Sequence, residues 1–224
     1  KNLNVNVPAP PAAKKAEKTT LILVDKPYAA QSVVMASFPS QTYDYNGEYF
    51  KNSVMNFSLG GTFNSRINLN LREDKGYTYG ARASFSGNKF YGTYRFFSNI
   101  KKEATDSAIA EFMKEVVNFK KNGVTPTELE FTKNSILLSQ ALDYETPNQK
   151  LGFLANIIEY DLPKNYTQKQ EEIINSMTLE EVNALASKNL LPENMVIVIV
   201  GHAYKIRASL AKLGYGKVKE MSVD

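Results

Sequence analysis

The chain has 224 residues, 43% of them apolar, with 27 basic and 23 acidic side chains, a net charge of +4, one histidine and no cysteine. That much apolar material supports a real core. The charges are interspersed rather than blocked, so composition argues against disorder and against an electrostatic nucleic-acid or membrane surface. The lack of cysteine removes disulfide and thiolate chemistry without selecting a compartment, and no apolar run approaches the roughly 20 residues of a membrane helix.

Residues 1–19 read as a semi-rigid linker from a preceding domain, with Pro8, Pro10 and Pro11 among alanines and Lys14, Lys15 and Lys18 as a solvated cluster. Leu3, Val5 and Val7 alternate like the last strand of that preceding domain. Lys1 fits neither a signal peptide nor an ordinary start, so the sequence reads as part of something longer. Residues 20–224 read as one domain. Thr20 to Val24 and Gln31 to Phe38 are predicted strands separated by a turn at Lys26 and Pro27, and Phe50, Val54 and Phe57 fall at helical spacing.

Gly60 and Gly61 then lead into a second predicted helix with Phe63, Ile67 and Leu71 on one face, Arg72 in its last turn and Gly76 as its stop. Beyond Gly76 the period becomes two, placing Tyr79, Ala81, Ala83 and Phe85 on one face of a strand. That strand pairs with Phe90 to Phe97 across a Gly87–Asn88 turn of residues that tolerate positive φ. A long helical stripe follows: Ala104, Ala108, Ile109, Phe112, Met113, Val116 and Val117, ending near Gly123. Thr125, Pro126 and Glu128 open the next helix, with Leu129, Ile136 and Leu137 inward. Leu151, Leu154, Ala155 and Ile158 mark a helix after Pro147, and Thr178 with Glu181 form the capping box of another, which carries Val182, Leu185 and Ala186. Met195 to Val200 reads as a central strand and Lys205 to Leu213 as a closing helix. The order of elements predicts an α+β domain, a mostly antiparallel sheet with helices packed on one side.

Catalytic chemistry is scarce in this list. Zinc hydrolysis needs about three protein ligands and an open position. The single histidine, His202, follows a strand and reads as a loop residue rather than a ligand. The pairs Glu171–Glu172 and Glu180–Glu181 read as solvated helix faces, no serine or threonine has a base placed beside it by motif, and the glycine pair lacks the spacing of a phosphate loop. Aromatic strand residues Tyr91, Tyr94, Phe96 and Phe97 with Arg95 suggest base stacking only weakly, since such residues are ordinary in strands.

The run Leu59–Phe85 carries the specific signal. Leu59, Gly60, Gly61, Ser65, Arg66, Leu71, Arg72, Glu73, Lys75, Gly76, Tyr79 and Gly80 form a pattern of LGG, SR, LRE and a following K, G and YG. It resembles the insulinase, pitrilysin and mitochondrial-processing-peptidase family of zinc metallopeptidases, in the half that lacks the zinc site. The resemblance implies a half-clamshell domain whose partner is an HxxEH-bearing domain or subunit that holds the zinc. It implies no cofactor on this chain and no activity for this chain alone. It also implies that Arg72 positions a peptide substrate and that Tyr79, seven residues later, donates to the oxyanion formed at the partner's metal. Losing one such donor costs on the order of 3 kcal/mol, roughly a hundredfold in rate. Gly60, Gly61, Ser65 and Arg66 are read as shaping the helix entry, Tyr77 is a rival to Tyr79, and a catalytically silent peptide-binding or scaffold subunit is the alternative function. Exported relatives of this kind imply a bacterial periplasm or envelope location.

Overall fold

A computed structural model describes residues 10–11, 13–140 and 145–222. The predicted strand at Leu3, Val5 and Val7 lies outside them. Six strands form one sheet: β1 (Thr20–Asp25), β2 (Gln31–Ser40), β3 (Thr78–Gly87), β4 (Gly92–Lys101), β5 (Val196–Gly201) and β6 (Lys219–Met221). Their spatial order is β3-β4-β2-β5-β1-β6. The three ladders among β3, β4, β2 and β5 are antiparallel, whereas β1 runs parallel to both its neighbours. The predicted α+β class therefore holds, with a mixed sheet. The chain does turn between β1 and β2, but β5 separates them in the sheet.

The period of two seen in the sequence becomes a division between faces. Leu21, Leu23, Val34, Ala36, Phe38, Ala83, Tyr94, Phe96, Ile197 and Ile199 all point to the buried side. Helices cover that side: α1 (Glu48–Asn56), α2 (Arg66–Asn68), α3 (Thr105–Asn122), α4 (Pro126–Gln140), α5 (Pro147–Tyr160), α6 (Tyr166–Ser176), α7 (Leu179–Asn189) and α8 (Ala203–Ala211). Phe96 stacks on Phe112 of α3 at 3.9 Å and Phe38 on Tyr94 at 4.8 Å. Each such ring contributes about 2–3 kcal/mol by leaving water. With Tyr94 and Phe96 sealed in this layer, half of the suggested stacking platform is core.

Several expectations shift. Gly60 and Gly61 do not open a helix; they end the first one, which runs on from α1 as a wider π turn, Phe57–Gly61. Gly60 is required there because a Cβ would lie 2.6 Å from the Cβ of Ala83 and 2.9 Å from its backbone nitrogen. Phe63 falls in the break before α2 and is 53% exposed, so only Ile67 and Leu71 supply the buried face. The β3–β4 turn uses no positive φ at Gly87 or Asn88. Instead the Asn88 carboxamide oxygen accepts from Phe90 N (2.8 Å) and Tyr91 N (3.1 Å), an Asx-type closure. Val117 lies on the outer side of α3.

On α5 the stripe Leu151, Leu154, Ala155 and Ile158 faces outward. Phe153 and Tyr160 face inward instead, stacked on Tyr166 (5.2 Å) and packed on Tyr43 (4.0 Å). Thr178 caps α7 as expected, but Glu181 turns away to pair with Lys51 at 2.6 Å rather than closing the box. The capping box at Thr125 and Glu128 forms. The strand β6 after the closing helix had no sequence signal beyond three residues.

Candidate functional site

The site lies where the π turn after α2 meets the start of β3. The helical segment continues from Arg66–Asn68 through Leu69–Asp74 in wider turns, and Arg72 sits in them. Such turns are frequent where a side chain must be re-aimed. Gly76 at φ +60° then breaks the helix with no Cβ penalty.

Three clamps fix this segment. Arg66 donates from Nε and Nη2 to the two carboxylate oxygens of Glu128, both at 2.6 Å, and from Nη2 to the Gly123 carbonyl at 3.0 Å, with its guanidinium 4.9 Å from the Phe119 ring centre. Burial raises the Glu128 pKa, but the Arg66 and Thr125 hydrogen bonds outweigh it and hold the carboxyl below its ordinary value. Asn68, buried, donates to the Phe63 carbonyl (2.7 Å) and accepts from Ala81 N (2.9 Å). Asn70 donates to Glu111 (3.0 Å) and Glu115 (2.7 Å) on α3. The expected role of Arg66 in shaping this helix fits that geometry.

A β-bulge decides where Tyr79 points. Thr78 pairs with Ile100 and Ala81 with Ser98, so three residues on β3 span two on β4. The alternation therefore slips, and Tyr79 leaves the face of Ala81, Ala83 and Phe85, contrary to the expectation from a simple period of two. Thr78 takes the buried slot opposite Ile100, and Tyr79 is 87% exposed. Hydroxyls hold the bulge: Thr78 Oγ1 donates to the Asn99 carbonyl (2.6 Å) and accepts from Gly80 N (3.1 Å) and Ser98 Oγ (3.0 Å).

Arg72 and Tyr79 line one cleft of about 280 Å³, together with Gln31, Glu73, Tyr77 and Lys101. Arg72 lies over the Phe63 ring at 4.4 Å and pairs with Glu73. Tyr77, the rival, packs on the core and has both backbone groups bonded, to Leu71 O and Lys101 N. On its other side Tyr79 borders a second cavity of about 310 Å³ with Phe63, Arg82 and Phe97. Sequence reasoning missed Phe63, Arg82 and Phe97 as site neighbours. Nothing in the spacing signals this, since Phe63, Ile67 and Leu71 keep a helical repeat through the break.

The residues present do not fit a zinc site: no group of three His, Cys, Asp or Glu side chains converges among the described residues. His202 occupies the cap position before α8, 5.7 Å from the Tyr28 ring. No helix among the described residues is long and apolar enough to cross a membrane.

The chain is 28% identical over 177 residues to the Helicobacter pylori non-peptidase homolog YmxG, covering 78% of this chain and 40% of that protein. It is 29% identical over 150 residues to the Bacillus subtilis uncharacterized zinc protease YmxG, covering 66% and 36%. It thus spans about two fifths of the length of these curated relatives. The crystal structure of a peptidase M16 inactive domain from Pseudomonas fluorescens shares the fold, with TM-score 0.76 and 23% identity over 87% of this chain and 46% of that one. Residues 2–136, which include the whole LGG-to-YG run, match the Peptidase M16 inactive domain family, and the chain belongs to it.

Proposed function

We propose that this chain is the substrate-engaging, zinc-site-lacking half of an M16 metalloendopeptidase, acting on peptides together with an HxxEH-bearing domain. The observation that carries the reading is the shared cleft of Arg72 and Tyr79, with the tyrosine turned out of its own sheet by a bulge. The Arg72 guanidinium presents a rigid set of donors, which suits gripping peptide carbonyls rather than moving protons. The Tyr79 hydroxyl is a donor for the oxyanion that develops on the scissile carbonyl. On this reading the metal and the attacking water are supplied by the other half; among the described residues no group of three His, Cys, Asp or Glu converges.

Cleavage of a quenched fluorescent peptide by the zinc-bearing half, with and without this chain, tests the proposal. Tyr79→Phe is expected to lower kcat roughly a hundredfold, and Arg72→Ala to raise KM. Unchanged cleavage in both variants refutes it. The second reading is a silent peptide-binding or scaffold subunit, favoured by the name of the Helicobacter relative, a non-peptidase homolog. Peptide binding without cleavage, even with the zinc-bearing half present, selects that reading.

A further inference from the structure

Among the described residues, the face of the sheet opposite the helices carries half-buried and exposed side chains in alternation with the buried ones. Cross-strand partners share a face, so the register aligns Arg82, Phe97, Met35, Val198, Ile22 and Lys219 in one row across all six strands. The next row is Ser84, Arg95, Ser37, Val196 and Thr20. Apolar side chains fill the middle, Arg82 and Arg95 sit at the end that carries the candidate site, and a lysine, Lys219, sits at the far end. Strands β2, β3 and β4 together contain Arg82, Arg95 and Lys101 but no acidic residue. Among the described residues, neither Arg82 nor Arg95 makes a side-chain hydrogen bond or an ion pair. The acids at the far end, Asp25 and Glu220, fall on the helix-covered side in phase with Leu23, Asp25 accepting from Ala203 N at 2.9 Å and Glu220 pairing with Arg207 at 2.7 Å.

We infer that this face, where it adjoins Tyr79, selects extended peptides with acidic side chains at alternate positions among apolar ones. The inference rests on the proposed role of the Arg72–Tyr79 cleft and adds its substrate class. Continuity is direct, since Arg82 and Phe97 line the cavity that Tyr79 borders. Arg95 lies two residues along β4 from Phe97, the partner of Arg82. Arg82 and Arg95 are therefore diagonal neighbours, with Cβ atoms roughly 7–8 Å apart. An extended peptide repeats its same-side residues every ~6.7 Å, so two carboxylates spaced Glu-x-Glu match the two guanidinium groups. Phe97, 43% exposed, and Met35 offer apolar contact to the residues around them. A lysine at those positions meets two unpaired cations of its own sign, which adds repulsion to lost attraction.

Fluorescence anisotropy on the full chain tests this with three labelled peptides that share one serine–leucine scaffold and carry Glu-x-Glu, Gln-x-Gln or Lys-x-Lys. The glutamate peptide is expected to bind about tenfold more tightly than the glutamine peptide and the lysine peptide most weakly, with the spread narrowing as salt rises. Arg82→Gln with Arg95→Gln abolishes the preference, whereas Lys219→Gln, at the far end of the same face, keeps it. Equal binding of the three peptides, no binding of any, or a preference that survives Arg82→Gln with Arg95→Gln overturns the inference. The cleft reading is scored separately by cleavage of an uncharged peptide. A lost preference with intact Tyr79-dependent cleavage removes only the specificity claim, and an intact preference with Tyr79-independent cleavage removes only the catalytic one.

Discussion

Thr78→Val isolates the device that exposes Tyr79. Valine matches threonine in shape but removes a hydroxyl that donates to Asn99 O at 2.6 Å and accepts from Gly80 N at 3.1 Å and Ser98 Oγ at 3.0 Å. Ser98 keeps a second acceptor in the Gly80 carbonyl, also at 3.0 Å, so its proton is not stranded. Two backbone groups lose their partner, one on the exposed Gly80, and at about 1 kcal/mol each the native state loses about 2 kcal/mol. For a domain of this size that is a fall in Tm of roughly 4–8 °C. The substitution also removes the reason for Thr78 rather than Tyr79 to sit opposite Ile100. Sliding the bulge one residue toward Gly76 pairs Tyr79 with Ile100 and turns it inward, in phase with Ala81. Nitration by tetranitromethane, read by mass spectrometry, reports this with built-in references, because Tyr28 and Tyr204 are 90% and 81% exposed. Tyr79 nitration is expected to fall several-fold relative to Tyr28 and Tyr204. Ser98→Ala, which deletes one donor, is expected to cost about 1 kcal/mol and leave nitration unchanged. A Thr78→Val protein as stable as the parent, with Tyr79 still reacting like Tyr28, refutes the account of the bulge.

Other perturbations follow from the clamps and the core. Gly60→Ala gains helix propensity but drives a methyl into Ala83, for a net loss of about 2 kcal/mol in urea unfolding, and pairing it with Ala83→Gly makes the double variant more stable than the sum of the singles. Arg66→Ala breaks a two-point ion pair that is about one quarter exposed, so a loss of about 1–2 kcal/mol is expected near neutral pH. The Glu128 pKa is lowered by folding, so its contribution is present above the unfolded value and is lost as pH falls through the folded one. The gap between parent and Arg66→Ala, measured by denaturation across the acid range, should therefore close below the ordinary glutamate range; a gap that persists there contradicts the pairing. Tyr94→Phe removes a buried hydroxyl with no hydrogen-bond partner among the described residues and is expected to be neutral or stabilising by up to about 1 kcal/mol, a loss of more than about 1 kcal/mol being the contrary result.

Much of the fold could be read from periodicity because one face of each strand from β1 to β5 and one stripe of most helices is buried. Phe112, Met113 and Val116 on α3, and Ile197 and Ile199 on β5, lie where a period of 3.6 or 2 puts them. Reading failed where a hydrogen bond or a close approach overrides period. Phe63 sits four residues before Ile67, as a helix face demands, yet Gly60 must press against Ala83, and the chain breaks after it to pass that contact. On α5 two apolar stripes compete, and aromatic stacking on Tyr43 and Tyr166 decides which one turns inward, something spacing alone does not encode. The parallel placing of β1 depends on contacts between residues far apart in sequence, and no local pattern records it.

The site shows the same division more sharply. Arg72 and Tyr79 were legible as a motif, but the geometry that brings them to one cleft depends on Thr78, Ser98 and Asn68, three small polar residues without a motif of their own. Burying them has a cost: an apolar residue at 78 and another at 98 would seal the edge of the sheet with no hydroxyls to satisfy. Here each hydroxyl and amide is used to keep one extra residue in β3 and to bond the backbone around it. The result is a large aromatic side chain in water, which gains nothing for the core. A sheet edge built only for stability would place Tyr79 opposite Ile100 and bury it. That this one instead uses buried polar groups to expose a phenol beside an arginine supports the role proposed for the cleft.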